Sequence, residues 1–366
     1  MRKSKFLICL GATGGHIFPG LSIAEEIKKR DDGSEIIFIN STNSNEGMPN
    51  MKIDYELKSI YIKGFVGKKL SNKFKSVFSL LIGTYQSIKI MKKFKPDFII
   101  GTGGFTWLPI SIAGFFLRKN IFIIEGNSVP GLSNRITSKV AKRIYIGFES
   151  ARKFFSKKKT LLTGYPIRNL SNISEDHKDI DILVTGGSQG SNNLNLKFAT
   201  QTESLIQKLT KNGIDKILIV HQTGINDYEV IKNLYTKLKS KYIGVDFLVE
   251  PFIDNIFNYL ARTKILVSRA GASTIFESLK FNLHSILVPL MNSTDNHQYK
   301  NAIEMKEKNL AEIWIEKEDL HKLTNMITNH LLSPENNDIF KIEREKMKKK
   351  NSANIIVEDL MRDYEN

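Results

Sequence analysis

Cysteine is almost absent from this 366-residue sequence, which contains only Cys9, within a short apolar run. One thiol excludes an intramolecular disulfide framework and a metal site built from cysteines, and it fits a reducing compartment. Long apolar runs are also lacking, since none approaches the roughly 20 residues that a membrane-spanning helix needs. The apolar run that ends before Gly11 is too short for a signal peptide, so we expect the protein to stay in the cytoplasm.

Acidic residues are scarce relative to basic ones, 38 against 54, which gives a formal net charge of +16. This excess favours partners that carry negative charge, such as anionic lipid or nucleic acid, although a lysine-rich genome would produce the same bias. Charge by itself therefore selects no partner. With 41% hydrophobic and 25% charged residues, the chain has the composition of a folded protein, and its length allows two domains.

Short apolar segments alternate with helical or loop segments in both halves of the chain. We predict strands at 6–10, 35–39, 97–101, 121–125, 143–146 and 160–163, and again at 181–184, 217–220, 245–249, 264–267 and 285–288, with helices at 21–29 and from 193 onward. Such alternation is typical of parallel sheets covered by helices on both faces. The predicted fold class is α/β, with two Rossmann-like, doubly wound parallel-sheet domains facing across a cleft.

The two predicted domains divide near residue 165. Residues 1–165 form the N-terminal domain, 166–340 the C-terminal domain, and 341–366 a charged C-terminal helix that packs back toward the N-terminal domain, braces the two domains or closes the second. In open parallel sheets, ligands bind at the carboxyl ends of the strands, where glycine-rich turns bring backbone amides close to phosphate. One such turn follows the first predicted strand of each half, so the cleft between the domains is the expected site.

Neither glycine-rich turn is a standard nucleotide fingerprint. The first reads "GATGGH", in which His16 replaces the last glycine of a dinucleotide motif, and the second predicted strand ends without an acidic residue. The second turn reads "TGGSQGS" and lacks the lysine of a phosphate-binding P-loop. Nicotinamide binding and ATP hydrolysis are both disfavoured, and Pro19 is expected to close the first turn before the helix.

Several polar residues at these turns are candidates for chemistry. His16 is either a general base at a helix start or a structural histidine. In "SRAGASTIFE", residues 268–277, the amides of 272–274 face an anion and Glu277 accepts ribose hydroxyls, unless the segment is an ordinary helix start. The D-x-D sequence at 179–181 lies at the opposite end of its strand, which argues against a metal role.

Lysines alternate with apolar residues between 65 and 95. The pattern predicts an amphipathic helix, which either lies on an anionic bilayer or packs on the core with a solvated lysine face.

Nine segments, taken in order, resemble one family. They read "GATGGHIFPGLSIAEEI", "GTGGFTWLPISIA", "EGNSVPGLSNR", "TGYPIR", "TGGSQGSNNLN", "HQTG", "PFIDN", "SRAGASTIFE" and "DNHQYKNA". The family is that of the MurG glycosyltransferases, which add N-acetylglucosamine (GlcNAc) to the undecaprenyl-linked muramyl-pentapeptide precursor of peptidoglycan. The resemblance implies a GT-B fold, UDP-GlcNAc as donor substrate, no cofactor, and metal-independent, inverting transfer to a β-1,4 linkage.

The resemblance also implies a place in the cell and partners. The acceptor never leaves the membrane, so the protein is expected as a peripheral protein on the cytoplasmic face of the inner membrane, in contact with anionic lipid. Cell-wall and division proteins are expected partners, and nucleic acid is not. Residues 65–95 then provide the membrane face.

Site residues follow from the resemblance as well. His16 lies where a base would take the proton from the muramyl 4-hydroxyl, while Arg168 and the amides near Ser188 and Ser273 meet the charge on the leaving UDP. Donor contacts are implied at Thr13, Gly14, Gly15, Asn127, Arg168, Ser188, the Ile253 backbone for uracil, Ala272, Ser273, Thr274, Glu277 for ribose, and Gln298. Acceptor contacts are implied at Gly14, Gly15, Gly103, Gly104 and Asn127, and a membrane face at Phe74, Phe78, Leu81 and Ile82.

The chain departs from the family's motifs at a few positions. The family's Glu-Gln-Asn reads Glu-Gly-Asn here, with Gly126 in the middle, and its Gly-Asn-Pro-Val-Arg contains Tyr165 and Ile167. One of two adjacent glutamines near the sugar is His297, so that Gln298 alone would supply the amide.

Two other functions stay open on the sequence alone. One keeps the fold and the UDP-sugar donor but changes the acceptor to another lipid or a small molecule. The other is a non-catalytic binder of RNA or another polyanion, which predicts basic residues interleaved with aromatics along one groove; that pattern is confined here to 65–95.

Overall fold

The computed structural model describes residues 3–11, 14–42, 54–62, 70–168, 173, 177–333, 342–345, 347 and 351–365, without the side chains of 14, 70–75 and 363–365. These residues form two compact units. The first comprises Met1–Asn169 together with Asn351–Asn366, and the second Leu170–Lys350.

The first unit is a parallel sheet with helices packed on it. Its strands are β1 (Lys5–Cys9), β2 (Glu35–Ser41), β3 (Glu56–Ile60), β4 (Phe98–Gly101), β5 (Asn120–Glu125), β6 (Arg143–Ile146) and β7 (Thr160–Leu162), in the spatial order β3-β2-β1-β4-β5-β6-β7. Its helices are α1 (Gly14–Arg30), α2 (Leu70–Phe94), α3 (Trp107–Phe116) and α4 (Leu132–Thr137).

The second unit repeats this architecture. Its strands are β8 (Ile180–Thr185), β9 (Ile217–Gln222), β10 (Val245–Glu250), β11 (Thr263–Ser268), β12 (His284–Leu287) and β13 (Glu312–Ile313), in the order β10-β9-β8-β11-β12-β13. Its helices are α5 (Asn192–Lys211), α6 (Tyr228–Lys241), α7 (Ile256–Arg262), α8 (Ala272–Lys280), α9 (His297–Glu307) and α10 (Leu320–Leu332).

The central strands are short apolar runs because both faces of each sheet are buried there, whereas the edge strands β3 and β10 are partly exposed. In β1, Leu7 packs with Trp107 and Ile110 of α3, whereas Phe6 points to the opposite face and stacks on Phe98 of β4, with ring centroids 4.6 Å apart. Each such side chain contributes about 1.5–3 kcal/mol by leaving water. The apolar runs of the sequence therefore predicted the two parallel sheets correctly.

Both sheets reverse their strand order beside their first strand, between β1 and β4 and between β8 and β11. At such a switch point the loops that follow neighbouring strands diverge and leave a crevice at the carboxyl edge of the sheet. The two glycine-rich turns follow β1 and β8, so each lies at the switch point of its own unit.

The first helix corrects one expectation. We predicted that Pro19 would close the turn and that the helix would begin at 21, but α1 begins at Gly14 and contains Pro19. Proline has no N–H to donate to the carbonyl of Gly15, four residues earlier. The Tyr165 hydroxyl donates to that carbonyl instead, with an O···O distance of 2.6 Å, so a tertiary contact replaces the missing helical bond.

The C-terminal segment is not one continuous helix. Residues 342–345 and 347 are helical, Asn351 is not, and a separate helix, α11, runs over Ser352–Glu365. The Asn351 side chain accepts the Asn354 N–H at 3.1 Å, which is the hydrogen bond of a helix N-cap and explains why a new helix begins there.

Helix α11 lies against the first unit. Its Asp359 carboxylate accepts the Arg143 guanidinium at 3.1 Å and the Tyr145 hydroxyl at 2.9 Å, and its apolar residues Ile356 and Leu360 are buried. Strands β3 and β13, at the edges of their sheets, were not predicted.

Candidate active site

His16 lies in the first turn of α1, enclosed by the glycines of two loops. A Cβ built on Gly11 would lie 2.6 Å from His16 Cβ, and one on Gly103 would lie 3.1 Å from His16 Cε1. Gly103 and Gly104 have φ values of +101° and +81°, which favour glycine. The Thr102 hydroxyl donates to the His16 carbonyl at 2.8 Å, so the turns after β1 and β4 meet at this histidine.

Glu125, at the end of β5, organises the next loop and was not predicted as a site residue. Its buried carboxylate accepts the Asn127 N–H at 2.9 Å, the Gly131 N–H at 3.1 Å and the Asn134 amide at 2.9 Å. Burial raises its pKa, although these donors favour the ionised form. The sequence contained a signal for this role, because Glu125 is an acidic residue at the carboxyl end of a buried strand and begins the motif "EGNSVPGLSNR".

Asn134 links this loop to His16. A Cβ on Gly103 would lie 3.4 Å from Asn134 Nδ2 and 3.1 Å from His16 Cε1, so the two side chains flank the same glycine. Asn127 lies in the same Glu125-held loop. Among the predicted acceptor residues, the structure thus brings Gly103, Gly104 and the Asn127 loop to the switch point where α1 begins.

Residues 165–168 run along α1. Besides the bond from Tyr165 to Gly15, the Ser22 hydroxyl donates to the Ile167 carbonyl at 2.7 Å, and the Arg168 guanidinium carbon lies 4.0 Å from the ring centroid of Phe18. A cation held over an aromatic face is stabilised by the ring's charge distribution. Arg168 is therefore held on the first unit, against Phe18, which follows His16 by two residues in α1.

Three glycine-turn predictions have different outcomes. Gly14 and Gly15 are the first two residues of α1, and Thr13 lies outside the described residues.

In the second unit, the turn after β8 packs backbone on backbone against the turn after β9. Gly190 has a φ of +73°, and a Cβ on it would lie 1.9 Å from the Thr223 carbonyl oxygen. The Gln222 amide donates to the Gly187 carbonyl at 2.9 Å, and Ser188 is exposed at the tip of the turn. These contacts fix the base of the loop, while Ser188 at its tip is exposed.

Gln222 also binds the backbone predicted to contact uracil. Its Oε1 accepts the Ile253 N–H at 3.0 Å. A base contact through the Ile253 backbone would then go to its carbonyl oxygen. The "HQTG" motif thus connects the glycine-rich turn with the loop that carries Ile253.

The start of α8 has the properties expected of an anion site. Gly271 precedes the helix, the amides of Ala272, Ser273 and Thr274 belong to its first turn, and the first α-helical bond runs from Ile275 to Gly271 at 3.1 Å. The Ser273 hydroxyl oxygen is buried and has no hydrogen-bond partner among the described residues. Amides, helix dipole and hydroxyl therefore favour a phosphate here. Glu277, partly exposed, lies further along the same helix.

Arg269, also missed by the sequence predictions, ties three loops of this unit together. Its buried guanidinium donates to the Ser191 hydroxyl at 2.6 Å, the Glu316 carboxylate at 2.8 Å and the Val288 carbonyl at 3.1 Å. The loops after β8, β12 and β13 are consequently held by a residue that follows β11.

The last predicted donor residue lies at the start of α9. Gln298 Oε1 accepts the Leu290 N–H at 3.0 Å, which leaves the amide NH₂ as the group that can donate to a ligand. His297 Nδ1 bonds the Thr294 carbonyl at 2.8 Å, and since a carbonyl only accepts, Nδ1 carries the proton. With Nδ1 engaged, His297 offers a ligand only the accepting Nε2, whereas a glutamine would also offer an NH₂ donor.

The carboxylates at 179–181 are engaged with cations. Asp179 accepts Arg262 Nε at 2.8 Å, and Asp181 accepts Lys264 at 2.7 Å and the Leu218 N–H at 2.8 Å. These pairs lie at the amino end of β8, away from the switch point.

The predicted membrane face lies on α2. Val77, Phe78, Leu81 and Tyr85 are all more than half exposed, and their spacing places them on one side of the helix. Lys89 is exposed and continues this stripe. Within the described part of the chain, no helix is long and apolar enough to cross a bilayer.

The individual predictions for this face turn out differently. Phe78 and Leu81 are 65% and 64% exposed, Ile82 is partly buried, and the Phe74 side chain lies outside the described residues. On α3, which packs against α2, Phe115 and Phe116 are exposed as well.

Known proteins resemble this chain over most of its length. Residues 6–146 match the glycosyltransferase family 28 N-terminal domain, and residues 181–360 match the glycosyltransferase family 28 C-terminal domain. A UDP-N-acetylglucosamine–N-acetylmuramyl-(pentapeptide) pyrophosphoryl-undecaprenol N-acetylglucosamine transferase of Thermodesulfovibrio yellowstonii is 36% identical over 326 residues, 86% of each chain. One of the same name from Sulfurihydrogenibium sp. is 33% identical over 378 residues, 99% of each chain.

Solved structures support the fold. The crystal structure of Acinetobacter baumannii MurG is similar with a TM-score of 0.72 at 22% identity, over 99% of this chain and 100% of that one. CalG4, the calicheamicin glycosyltransferase, gives a TM-score of 0.65 at 11% identity, over 100% of this chain and 98% of that one. The GT-B prediction of two parallel-sheet domains is confirmed. The protein is a member of the MurG family of N-acetylglucosaminyltransferases, within glycosyltransferase family 28.

Proposed function

We propose that the protein transfers GlcNAc from UDP-GlcNAc to undecaprenyl-pyrophosphoryl-N-acetylmuramyl-pentapeptide, the step from lipid I to lipid II in peptidoglycan synthesis. The observation that carries the proposal is the similarity to transferases of this name at 32–36% identity over most of the chain. Two glycine-rich turns at the switch points of two parallel sheets support it, since one serves a lipid pyrophosphate and the other a nucleotide sugar.

The second unit is proposed to hold the donor. The first turn of α8 receives the diphosphate of UDP on the amides of 272–274 and on the Ser273 hydroxyl. Glu277, on the same helix, accepts the ribose hydroxyls, and the Ile253 carbonyl faces the uracil N–H. The Gln298 amide donates to the sugar. These roles agree with the buried Ser273 oxygen and with the engaged N–H of Ile253.

The first unit is proposed to hold the acceptor and the base. The lipid pyrophosphate approaches Gly14, Gly15 and the loop of Gly103 and Gly104. His16 accepts the proton of the muramyl 4-hydroxyl as its oxygen bonds to C1 of GlcNAc from the side opposite UDP, so the bond from C1 to the phosphate oxygen breaks with inversion. Arg168 and the amides near Ser188 and Ser273 stabilise the charge that develops on the leaving UDP.

The exposed apolar stripe of α2 is proposed to rest on the cytoplasmic face of the inner membrane. The apolar side chains would enter the boundary of an anionic bilayer while lysines meet head groups, as in interfacial amphipathic helices. The net charge of +16 supports such a surface. Cell-wall and division proteins stay predicted partners.

The test is transfer of radiolabelled GlcNAc from its UDP donor to a short-chain analogue of the lipid-linked muramyl-pentapeptide, with EDTA present. Labelled lipid is the expected product, and it would support donor, acceptor and metal independence together. Absence of product while UDP-GlcNAc still binds would contradict the proposed acceptor. Product that disappears with EDTA and returns with a divalent cation would contradict metal-independent transfer.

A further inference from the structure

Tyr165 and Gly126 are two of the positions where the chain departs from the family's motifs, and they touch each other. A Cβ built on Gly126 would lie 2.7 Å from both Cε2 and Cζ of the Tyr165 ring. Carbon atoms that are not bonded approach to about 3.5 Å, so the ring fills the volume that any side chain at 126 would need. The tyrosine ring in this place therefore requires a glycine at 126.

The hydroxyl at the far end of the same ring contacts α1, the helix that carries His16. The Tyr165 hydroxyl donates to the Gly15 carbonyl at 2.6 Å, on the oxygen that Pro19 cannot serve. Burial raises the pKa of Tyr165, so the hydroxyl keeps the proton that it donates. The bond is made at the residue immediately before His16.

Two further contacts hold the same segment on the same helix. The bond from Ser22 to Ile167 and the packing of Arg168 on Phe18 keep the chain after Tyr165 against α1. Since the Glu125-held loop begins at Gly126, the tyrosine ring lies between that loop and the first turn of α1.

We propose that Tyr165 is a positioning residue for the transfer reaction: its ring, admitted by Gly126, anchors the first turn of α1 and thereby sets the place of His16. The inference rests on the proposed function. Tyr165 touches neither substrate in this account; it acts through the Gly15 carbonyl.

The first test removes only the hydroxyl. Tyr165→Phe keeps the ring but not the donor, and the turnover number for GlcNAc transfer is expected to fall about fivefold, the effect of one hydrogen bond. The dissociation constant for UDP-GlcNAc, measured by calorimetry, is expected to change little, because the residues proposed to hold uracil, ribose and diphosphate (Ile253, Glu277 and 272–274) lie on the second unit.

Tyr145→Phe is the matched control. It removes another buried tyrosine hydroxyl of the first unit, which binds Asp359 at 2.9 Å, and is expected to lower the melting temperature without changing turnover. The proposal is overturned if Tyr165→Phe retains wild-type turnover and acceptor KM, or if both variants reduce turnover equally.

The second test concerns the pair. Gly126→Ala is expected to lower the melting temperature by several degrees when Tyr165 is present, and by much less in a Tyr165→Ala background, because the clash is then gone. Equal losses in the two backgrounds would overturn the pairing. A wild-type protein that transfers no GlcNAc would overturn the proposed function and the catalytic part of this inference, whereas the melting cycle judges the pair independently of activity.

Discussion

At the scale of single residues, buried polar groups differ in whether the described residues supply their hydrogen-bond partners. Glu125 is buried and binds its own loop, so it positions Asn127 and Asn134. Ser273 has a buried hydroxyl oxygen at a helix start without a partner among the described residues. A buried polar atom without a partner costs on the order of 1–3 kcal/mol, which a bound phosphate would recover.

Replacement of His16 should affect the chemical step. We expect His16→Ala to reduce turnover by about 10²–10⁴-fold, the usual contribution of a general base, while the affinity for UDP-GlcNAc changes little. Initial rates with the lipid analogue and calorimetric titration of the donor measure the two effects. Wild-type turnover in the variant would exclude His16 as the base.

Replacement of Glu277 should affect donor binding. Glu277→Gln removes a charged acceptor of the ribose hydroxyls, and we expect UDP-GlcNAc to bind about 10-fold or more weakly, since such bonds are worth about 1.5–3 kcal/mol. Glu229→Gln, an exposed carboxylate at the start of α6, is the control and should bind the donor normally. Unchanged donor affinity in Glu277→Gln would rule out the ribose contact.

At the scale of elements, two helices that pack against each other, α2 and α3, differ in where their apolar side chains lie. Helix α3 buries Trp107 and Ile110 in the core of the first unit. The outer face of α2 instead exposes four apolar side chains, those of Val77, Phe78, Leu81 and Tyr85. Apolar side chains that are grouped on one exposed face, rather than scattered singly, favour a binding surface, which is the basis of the membrane face proposed for α2.

Removal of the α2 stripe should release the protein from membranes. We expect Phe78→Ser, Leu81→Ser and Tyr85→Ser together to abolish most sedimentation with anionic phosphatidylglycerol vesicles, since each apolar residue contributes about 1.5–3 kcal/mol when buried. The variant should still transfer GlcNAc to the short-chain acceptor.

The control for this experiment lies in the second unit. Ile225 and Ile243 are also highly exposed, and their replacement by serine should leave sedimentation unchanged. Vesicle binding that survives the α2 changes, or that fails equally in the control, would contradict the membrane face.

At the scale of the whole molecule, buried histidines couple folding to pH. His221 is fully buried between the Tyr235 hydroxyl at 2.9 Å and Asn195 Oδ1 at 3.1 Å, and burial lowers its pKa to about 3. An unfolded histidine titrates near pH 6.5. The unfolded state therefore binds a proton below pH 6.5 that the folded state does not, and stability falls as the pH decreases from 6.5 toward 3.

We expect this linkage to cost about 1.4 kcal/mol per pH unit below 6.5 for His221. Denaturation by urea at pH 7.5, 6.0 and 5.0 measures it. His221→Gln should be less stable at pH 7.5 but lose less stability on acidification than the wild type. His321→Gln, which replaces an exposed histidine of α10, is the control and should keep the wild-type dependence of the unfolding free energy on pH. An unchanged pH dependence in His221→Gln would contradict the linkage to His221.

The sequence by itself determined the two parallel sheets, the two glycine-rich turns and the family. These follow from local properties: apolar runs long enough for a buried strand, glycines where a strand meets a helix, and motifs whose order along the chain is independent of folding. The helix start at 272 was found for the same reason, since small residues after a buried strand favour exposed amides.

The tertiary structure alone decided the features that join distant residues. Helix α1 tolerates Pro19 because Tyr165, 150 residues from Gly15, supplies the missing donor. Arg269 holds the loops of the second unit together because folding brings it to Ser191 and Glu316, which lie 78 and 47 residues away in the chain. No local pattern encodes such pairs, because their energy exists only when folding brings both partners out of water and into contact.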